Sequence, residues 1–326
     1  MSGGAPGRPV VILMAAHVSP ALQAEARRAA QDAGRPADLR LHGGREAFSL
    51  LLPEAEVVYG SLRAGEAAGA PRLRWVHAGS AGVDYFPLGE LAAAGIVLTN
   101  ARGQHAEPMA DHAFALLLAL SRRIPEAAAA QLAHRWEPHA GEALAGRRLG
   151  VAGLGTIGRA VARRAAAFGL EVWGTRRHPA PDPLASRVLG PSRAELLMLC
   201  AECDDLVAVL PSTPETRGLF DAEAFAAMRP GARLVNIGRG DVLQEEALDA
   251  ALRSGRLAAA ACDCLPREPL PPEAPLWTAP HLLITAHVGG SHPDYERQGM
   301  ALFADNLARY CRGEPLRNRV DLAAGY

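Results

Sequence analysis

The run Leu149-Gly150-Val151-Ala152-Gly153-Leu154-Gly155-Thr156-Ile157-Gly158 carries an apolar strand straight into a G-x-G-x-x-G turn. With 33 glycines in the chain the six-residue pattern alone is weak, and its context gives it weight. A helical stripe of Ile157, Val161, Ala165 and Phe168 follows, closed by Gly169, and the next apolar stretch begins at Leu170. Strand, glycine turn, helix and strand in that order form the fingerprint of a dinucleotide site. Gly153 makes the tight turn, Gly155 lets the backbone approach a pyrophosphate, and Gly158 allows close helix–strand packing. Thr156 and Ile157 open the helix, where unpaired N–H groups and the positive end of the dipole favour phosphate.

Outward from this unit the chain alternates strand and helix. Apolar strands are expected at residues 10–14, 57–59, 75–78 and 97–99, with a helix over 20–33. A second series is expected at 149–152, 171–174, 206–210, 233–236, 258–262 and 282–285. Continuous rather than every-other apolar residues argue for parallel sheet covered on both faces. The second series makes a six-stranded dinucleotide-binding domain inside the chain. The fold class is therefore α/β: two Rossmann-like, doubly wound parallel-sheet domains, the outer one discontinuous, with a cleft between them. Residues 1–100 plus 291–326 are expected to form the substrate (catalytic) domain and 101–290 the dinucleotide-binding domain, with helices near 108–122 and 291–310 as crossovers. Proline-rich connections stand at 179–183 and 266–275.

Composition narrows the function classes. The 326 residues carry 34 basic and 35 acidic side chains, a net charge of −1, which gives no general pull toward nucleic acid or anionic lipid. No lysine is present, which excludes Schiff-base and P-loop lysine chemistry. Of five cysteines (Cys200, Cys203, Cys262, Cys264 and Cys311), Cys200-x-x-Cys203 with Cys262 and Cys264 has spacing that a zinc site could use, but Cys200 and Cys203 follow the apolar run 196–199 and read as small buried hydrophobes. No metal is expected, and reduced cysteines fit a cytoplasmic protein. The apolar run after Arg8 is too short for a signal-peptide core and reads as a buried first strand, and no stretch approaches the ~20 residues of a membrane span.

The end of the second strand of the inner series decides the dinucleotide. An NAD site usually carries an acid there for the ribose hydroxyls. Here the chain reads Val172-Trp173-Gly174-Thr175-Arg176-Arg177. Thr175, Arg176 and Arg177 could hydrogen-bond and neutralise a 2′-phosphate, so NADP(H) is favoured, with NAD(H) as the second option.

Three later segments each place a reactive residue at a strand end: Asn236-Ile237-Gly238-Arg239-Gly240, Cys262-Asp263-Cys264-Leu265-Pro266-Arg267-Glu268-Pro269, and Thr285-Ala286-His287-Val288-Gly289-Gly290. In a parallel sheet these ends gather along one edge. With the loop Trp75–Asp84, the stretch Thr99–Gly103 and the run Leu210–Leu219, they make the chain resemble, over nearly its whole length, the D-isomer-specific 2-hydroxyacid dehydrogenases. The Thr-Arg-Arg stretch and the ending Pro315-Leu316-Arg317-Asn318…Gly325-Tyr326 look most like the glyoxylate/hydroxypyruvate reductase branch. Departures are Cys264-Leu265 in place of the common Val-Phe, Pro266-Arg267 in place of an acidic, aromatic-led run, and Ala286 where proline commonly precedes the histidine. With the chain ending at 326, the regulatory domain of many phosphoglycerate dehydrogenases is not expected.

The resemblance implies hydride transfer on a small 2-oxo or 2-hydroxy acid. Arg239 would grip the substrate carboxylate and 2-oxo oxygen, His287 would act as acid and base, and Glu268 would hold the other ring nitrogen and stabilise the imidazolium. Asp263 would hold the nicotinamide amide. Leu210, Pro211, Thr216, Ile237, Gly238, Gly289 and Gly290 would complete the cofactor contacts, with Arg239 and His287 beside the nicotinamide. Ser80, Ala81 and Gly82 would offer backbone N–H groups to the substrate carboxylate, and Tyr59, Leu62 and His77 are candidates for the pocket lining. His281 is expected at a strand start and His292 on the surface. A homodimer packed through the nucleotide domain is implied, with the apolar helix at 108–122 taking part. The competing reading is a catalytically weak, dinucleotide-sensing scaffold of corepressor type.

Overall fold

Val10–Ala15 (β1) is fully apolar and buried along five of its six residues, and it is paired on both sides in the first sheet of the computed structural model. The structure describes residues 8–325; residues 1–7 and Tyr326, the last residue of the ending quoted above, lie outside them. The chain divides into two compact units, one made of the residues through Gln104 with those from His292 on, the other of His105–Ser291.

In the first unit β1 pairs with Ala37–His42 (β2) and Val57–Tyr59 (β3), followed by Trp75–His77 (β4) and Val97–Thr99 (β5). All pairs are parallel in the order β2-β1-β3-β4-β5, a doubly wound arrangement. Helix Pro20–Asp32 (α1) starts on the Ser19 cap with proline at its first position. Helices Arg45–Leu51 (α2) and Leu88–Ala93 (α3) complete the crossovers. The last helix, Tyr295–Arg312, returns to this unit and packs Met300, Phe303 and Leu307 against Ile12, Met14 and Trp75. It ends at Gly313 with φ +71°, a left-handed cap that glycine adopts without strain.

The second unit holds Arg148–Ala152 (β6), Glu171–Thr175 (β7), Arg187–Leu189 (β8), Asp205–Ala208 (β9), Ala232–Asn236 (β10), Leu257–Cys262 (β11) and Leu282–Ile284 (β12). Their order is β12-β11-β10-β9-β6-β7-β8, all parallel. This is the dinucleotide-fold order with one strand added beyond the sixth. Helices Ala106–Ser121 (α4), Ile124–Leu132 (α5) and Thr156–Ala167 (α6) precede Arg193–Glu202 (α7), Ala222–Ala227 (α8) and Glu245–Arg253 (α9). One face of the sheet is covered by α4 and α6, the other by α7, α8 and α9. Ser192 and Glu195 form a reciprocal cap on α7, and Asp221 caps α8 through the Ala224 amide.

Several sequence expectations are corrected here. The sheet of the second unit has seven strands rather than six, because the edge strand β8 is only three residues long with one buried. The half-exposed edge strand β2 was not foreseen either. Leu62 is buried in the core of its unit rather than lining a pocket. His292 is half-buried rather than on the surface, with its ring edge-on to Tyr295. The apolar side of α4, including Phe114, Leu116, Leu117 and Leu120, is consumed by the core of its own unit. No helix among the described residues is long and apolar enough to cross a membrane.

His77 is fully buried on β4, its Nδ1 on the Thr99 hydroxyl at 2.7 Å and its ring stacked with Tyr59. Burial lowers its pKa to about 4. Above the ordinary histidine range the ring is neutral in both folded and unfolded chains, so it adds no pH dependence there. As pH falls through that range toward 4, the unfolded chain takes a proton that folded His77 refuses, and about 3 kcal/mol of stability is lost. Thermal unfolding should therefore show a larger loss of midpoint from neutral pH to about pH 4 in the wild type than in His77→Gln; equal losses would contradict the assignment.

Candidate active site

The glycine turn follows β6, and the protein itself explains two of its three glycines. A Cβ on Gly153 would lie 2.6 Å from the Val209 carbonyl oxygen, and one on Gly158 would lie 2.2 Å from the Gly153 carbonyl oxygen. Gly155 is different, because its Cβ would meet nothing within 4 Å. The space it leaves lies over the first turn of α6, which has no side-chain cap. A bare helix N-terminus beside that space fits the phosphates of a dinucleotide.

The loop is tied to the end of β7. Thr175 accepts the Gly153 amide on its hydroxyl at 3.1 Å and the Leu154 amide on its carbonyl at 2.7 Å. Arg176 donates Nε and Nη2 to the Leu154 carbonyl at 3.1 and 2.9 Å, and Nη2 also to Asp182 at 2.8 Å. Of the three residues read as 2′-phosphate ligands, two are thus turned into the protein, and Arg177 is exposed. Asp182, missed in the sequence, accepts Arg159 and the Leu184 amide as well. Burial would raise its carboxyl, but the Leu184 amide with Arg176 and Arg159 holds it below the usual carboxylate range.

At the end of β10, Gly238 and Gly240 bracket Arg239 for steric reasons. A Cβ on Gly238 would be 2.7 Å from the backbone of Leu210, and one on Gly240 would be 1.8 Å from the Leu265 carbonyl carbon. Buried Asn236 donates to the Arg239 carbonyl and accepts the Gly238 amide, fixing the turn. Ile237 is fully buried under it, while Leu210 is half-buried and Pro211 exposed on the neighbouring connection. Thr216 closes that connection by donating to the Pro211 carbonyl at 2.6 Å.

Asp263, at the end of β11, organises the segment after β12. Its Oδ1 accepts the Thr285 hydroxyl at 2.6 Å and the Val288 amide at 3.0 Å, and its Oδ2 accepts the Gly289 amide at 2.9 Å. Its carbonyl accepts the His287 amide at 2.8 Å. Thr285 gives its one proton to Asp263, so His112 Nε2, 3.0 Å away, donates to Thr285. His112 on α4 is a second residue that sequence reasoning missed. Gly289 lies so close to Asp263 and His112 that a Cβ would be 2.9 Å from the carboxylate, whereas Gly290 has ordinary room beside His105.

This turn leaves His287 with φ +52°, a conformation that costs a side-chain-bearing residue energy, and exposes its ring. Nδ1 donates to Glu268 Oε2 at 2.7 Å, while Glu268 Oε1 accepts the Leu265 amide at 2.8 Å. The tautomer is thereby set, and Nε2 is the atom left to exchange a proton. Cys264 Sγ, a Glu268 oxygen and a His287 ring nitrogen lie within 4.8 Å of one another, the one metal-ligand-type grouping among the described residues. Burial pushes the Cys264 thiol up, with Asp263 and Glu268 adding to the shift and Arg239 opposing it. His281 precedes β12, at a strand start.

In the first unit, the loop after β4 has four successive carbonyls engaged. Gly79 accepts the Tyr295 hydroxyl, Ser80 the Ala101 amide, Ala81 the Asn100 side chain and Gly82 the Ser80 hydroxyl. With these carbonyls taken, the amides of Ser80, Ala81 and Gly82 meet no hydrogen-bond acceptor among the described residues. Such a row of N–H groups suits a carboxylate.

A parallel sheet of this order with a glycine turn and an imidazole–carboxylate pair at its carboxyl edge defines a dinucleotide-dependent enzyme class. Residues 114–289 match the family described as D-isomer specific 2-hydroxyacid dehydrogenase, NAD binding domain. The chain is 36% identical over 282 residues to D-3-phosphoglycerate dehydrogenase of Mycobacterium leprae, covering 86% of this chain and 52% of that protein. It is 35% identical over 258 residues to glyoxylate/hydroxypyruvate reductase B of Yersinia enterocolitica, covering 77% and 78% of the two chains. A D-isomer specific 2-hydroxyacid dehydrogenase from Xanthobacter autotrophicus Py2, solved in complex with NADPH and MES, superposes with a TM-score of 0.81 at 31% identity over 98% of this chain and 100% of that one. The chain belongs to the D-isomer specific 2-hydroxyacid dehydrogenases. It spans about half the length of the phosphoglycerate dehydrogenases it matches.

The glycines give a paired prediction. Gly155→Ala should leave the unfolding midpoint unchanged while weakening dinucleotide binding about tenfold, a loss of about 1.4 kcal/mol. Gly240→Ala should cost about 2–3 kcal/mol of stability through overpacking. Denaturant titration and dinucleotide titration of both variants check this, and a stable Gly240→Ala or unimpaired binding in Gly155→Ala would contradict it.

Proposed function

We propose that the protein is an NADP(H)-preferring 2-oxoacid reductase, or D-2-hydroxyacid dehydrogenase, of the glyoxylate/hydroxypyruvate reductase type. The observation that carries this reading is the 2.7 Å bond from His287 Nδ1 to Glu268, with Nε2 left to act, on strand ends shared with Arg239. Residues from His105 to Ser291 hold the dinucleotide, and the unit around β1–β5 supplies the substrate anion loop. When bound, the dinucleotide supplies the hydride at the 2-carbon. The Arg239 guanidinium, planar and always charged, takes the substrate carboxylate and the 2-oxo oxygen, with the Ser80–Gly82 amides on the carboxylate. His287 Nε2 gives its proton to the developing alkoxide, and Glu268 stabilises the imidazolium that stands ready for it. Asp263 acts as a positioning residue as well as a candidate partner of the nicotinamide amide.

NADP(H) preference is supported by the absence of an acid among residues 171–177 after Glu171, by exposed Arg177, and by the NADPH complex of the Xanthobacter relative. Small 2-oxo acids are supported by the reductase relatives. A cytoplasmic setting agrees with five free thiols, four of them buried. A homodimer is supported by Ile124, Leu132 and Trp136, which are 54, 84 and 95% exposed on one stretch of the nucleotide unit. Light scattering should give a dimer for the wild type and a monomer for Trp136→Ser; a monomeric wild type would end that reading.

The decisive assay follows NADPH consumption with glyoxylate, hydroxypyruvate and pyruvate. His287→Ala should lose about a hundredfold or more of the rate while dinucleotide still binds. Glu268→Gln should lower the rate while dinucleotide affinity stays unchanged, because the ring loses the carboxylate that fixes its tautomer and orientation. Absence of turnover with every 2-oxo acid would favour the sensing scaffold, and a His287→Ala variant at near-normal rate would refute the role given to the imidazole.

A further inference from the structure

Two arginines follow Thr175, and the structure separates them. Arg176 lies half-buried with Nε and Nη2, the edge that would grip a phosphate bidentately, already directed at the Leu154 carbonyl. Leu154 is the middle residue of Gly153-Leu154-Gly155, so this contact sets the shape of the phosphate turn itself. The same Nη2 is held by Asp182, whose side chain is 0% exposed. Asp182 is not a surface acid that drifted onto an arginine. It also binds Arg159 on α6 and the Leu184 amide, and so pins the 179–183 segment to the helix that carries the turn. A buried carboxylate between two guanidinium groups resists removal of either, because the loss strands an uncompensated charge. Arg177, one residue on, is exposed at the end of the same strand.

We propose that Asp182 holds Arg176 as a clamp on the glycine turn, making it a positioning residue for any nicotinamide dinucleotide, and that recognition of a 2′-phosphate passes to Arg177. The assignment rests on the dinucleotide reading of this site and divides two side chains that composition treats as equivalent. A clamp serves NADPH and NADH alike, since both present the same pyrophosphate to the turn. An exposed guanidinium beyond it discriminates, since the two differ by a phosphate at the ribose. Asp182 then limits selectivity from a distance, because releasing Arg176 would offer the 2′-phosphate a second cation.

Equilibrium titration of the purified protein with NADPH and with NADH, read by nucleotide fluorescence, tests this without turnover. Arg177→Gln should weaken NADPH about tenfold, the loss of one charge-assisted contact, and leave NADH nearly unchanged. Arg176→Gln should weaken both by a similar factor. Asp182→Asn, which keeps the side chain's shape, should raise the NADPH-to-NADH preference, and the rise should vanish in Asp182→Asn/Arg176→Gln. Selective loss of NADPH in Arg176→Gln, or an unaltered preference in Arg177→Gln, would overturn the proposal. A wild type that binds neither dinucleotide overturns the site reading as well, and the wild-type titration alone identifies that case.

Discussion

A buried carboxylate at the end of β11 holds the carboxyl edge of the second sheet together. Asp263 is 2% exposed, and burying a charge so deeply is costly unless hydrogen bonds replace water. Here they come from the Thr285 hydroxyl and the Val288 and Gly289 amides, three donors from the segment 285–289 that has His287 at its middle. Satisfying that charge requires the chain to turn sharply after β12, and the turn places His287 in the left-handed region with its ring directed to Glu268. The strain on His287 and the cost of the buried charge are therefore one arrangement seen from two sides. His112 joins it through Thr285 and ties the turn to α4, the longest helix of the unit.

The neighbouring strand ends follow the same logic through sterics. Gly238 and Gly240 allow backbone to approach backbone at distances no side chain would permit, and Arg239 is the residue between them. Where charges are buried elsewhere, arginine again supplies the partner. Asp205 is fully buried and receives both Arg233 and Arg147, a forked neutralisation for which a chain without lysine has the right side chain.

Much of this was legible before any coordinates. Continuous apolar runs ending in a reactive residue marked β10 and β11, and a short apolar run before Thr285–Gly290 marked β12, a half-buried strand at the sheet edge. The edge strands β2 and β8 carry no such signature. β2 reads Ala-Asp-Leu-Arg-Leu-His, with half its residues polar because one side faces solvent, and β8 is three residues long. The residues that position the site were harder still. Asp182 and His112 have no local motif, and each has a partner brought close by the fold, 23 residues away for Asp182–Arg159 and 173 for His112–Thr285. Arg176 shows the converse difficulty. Its neighbourhood in sequence suggests a phosphate ligand, while a carbonyl 22 residues earlier has claimed its guanidinium.

The most direct test of the account is a crystal structure of the protein with oxidised dinucleotide and oxalate, an unreactive two-carbon dicarboxylate. One oxalate carboxylate should accept from Arg239, and an oxygen of the other should sit on His287 Nε2 with Nδ1 still bonded to Glu268. Oxalate bound out of reach of both Arg239 and the imidazole would contradict the account.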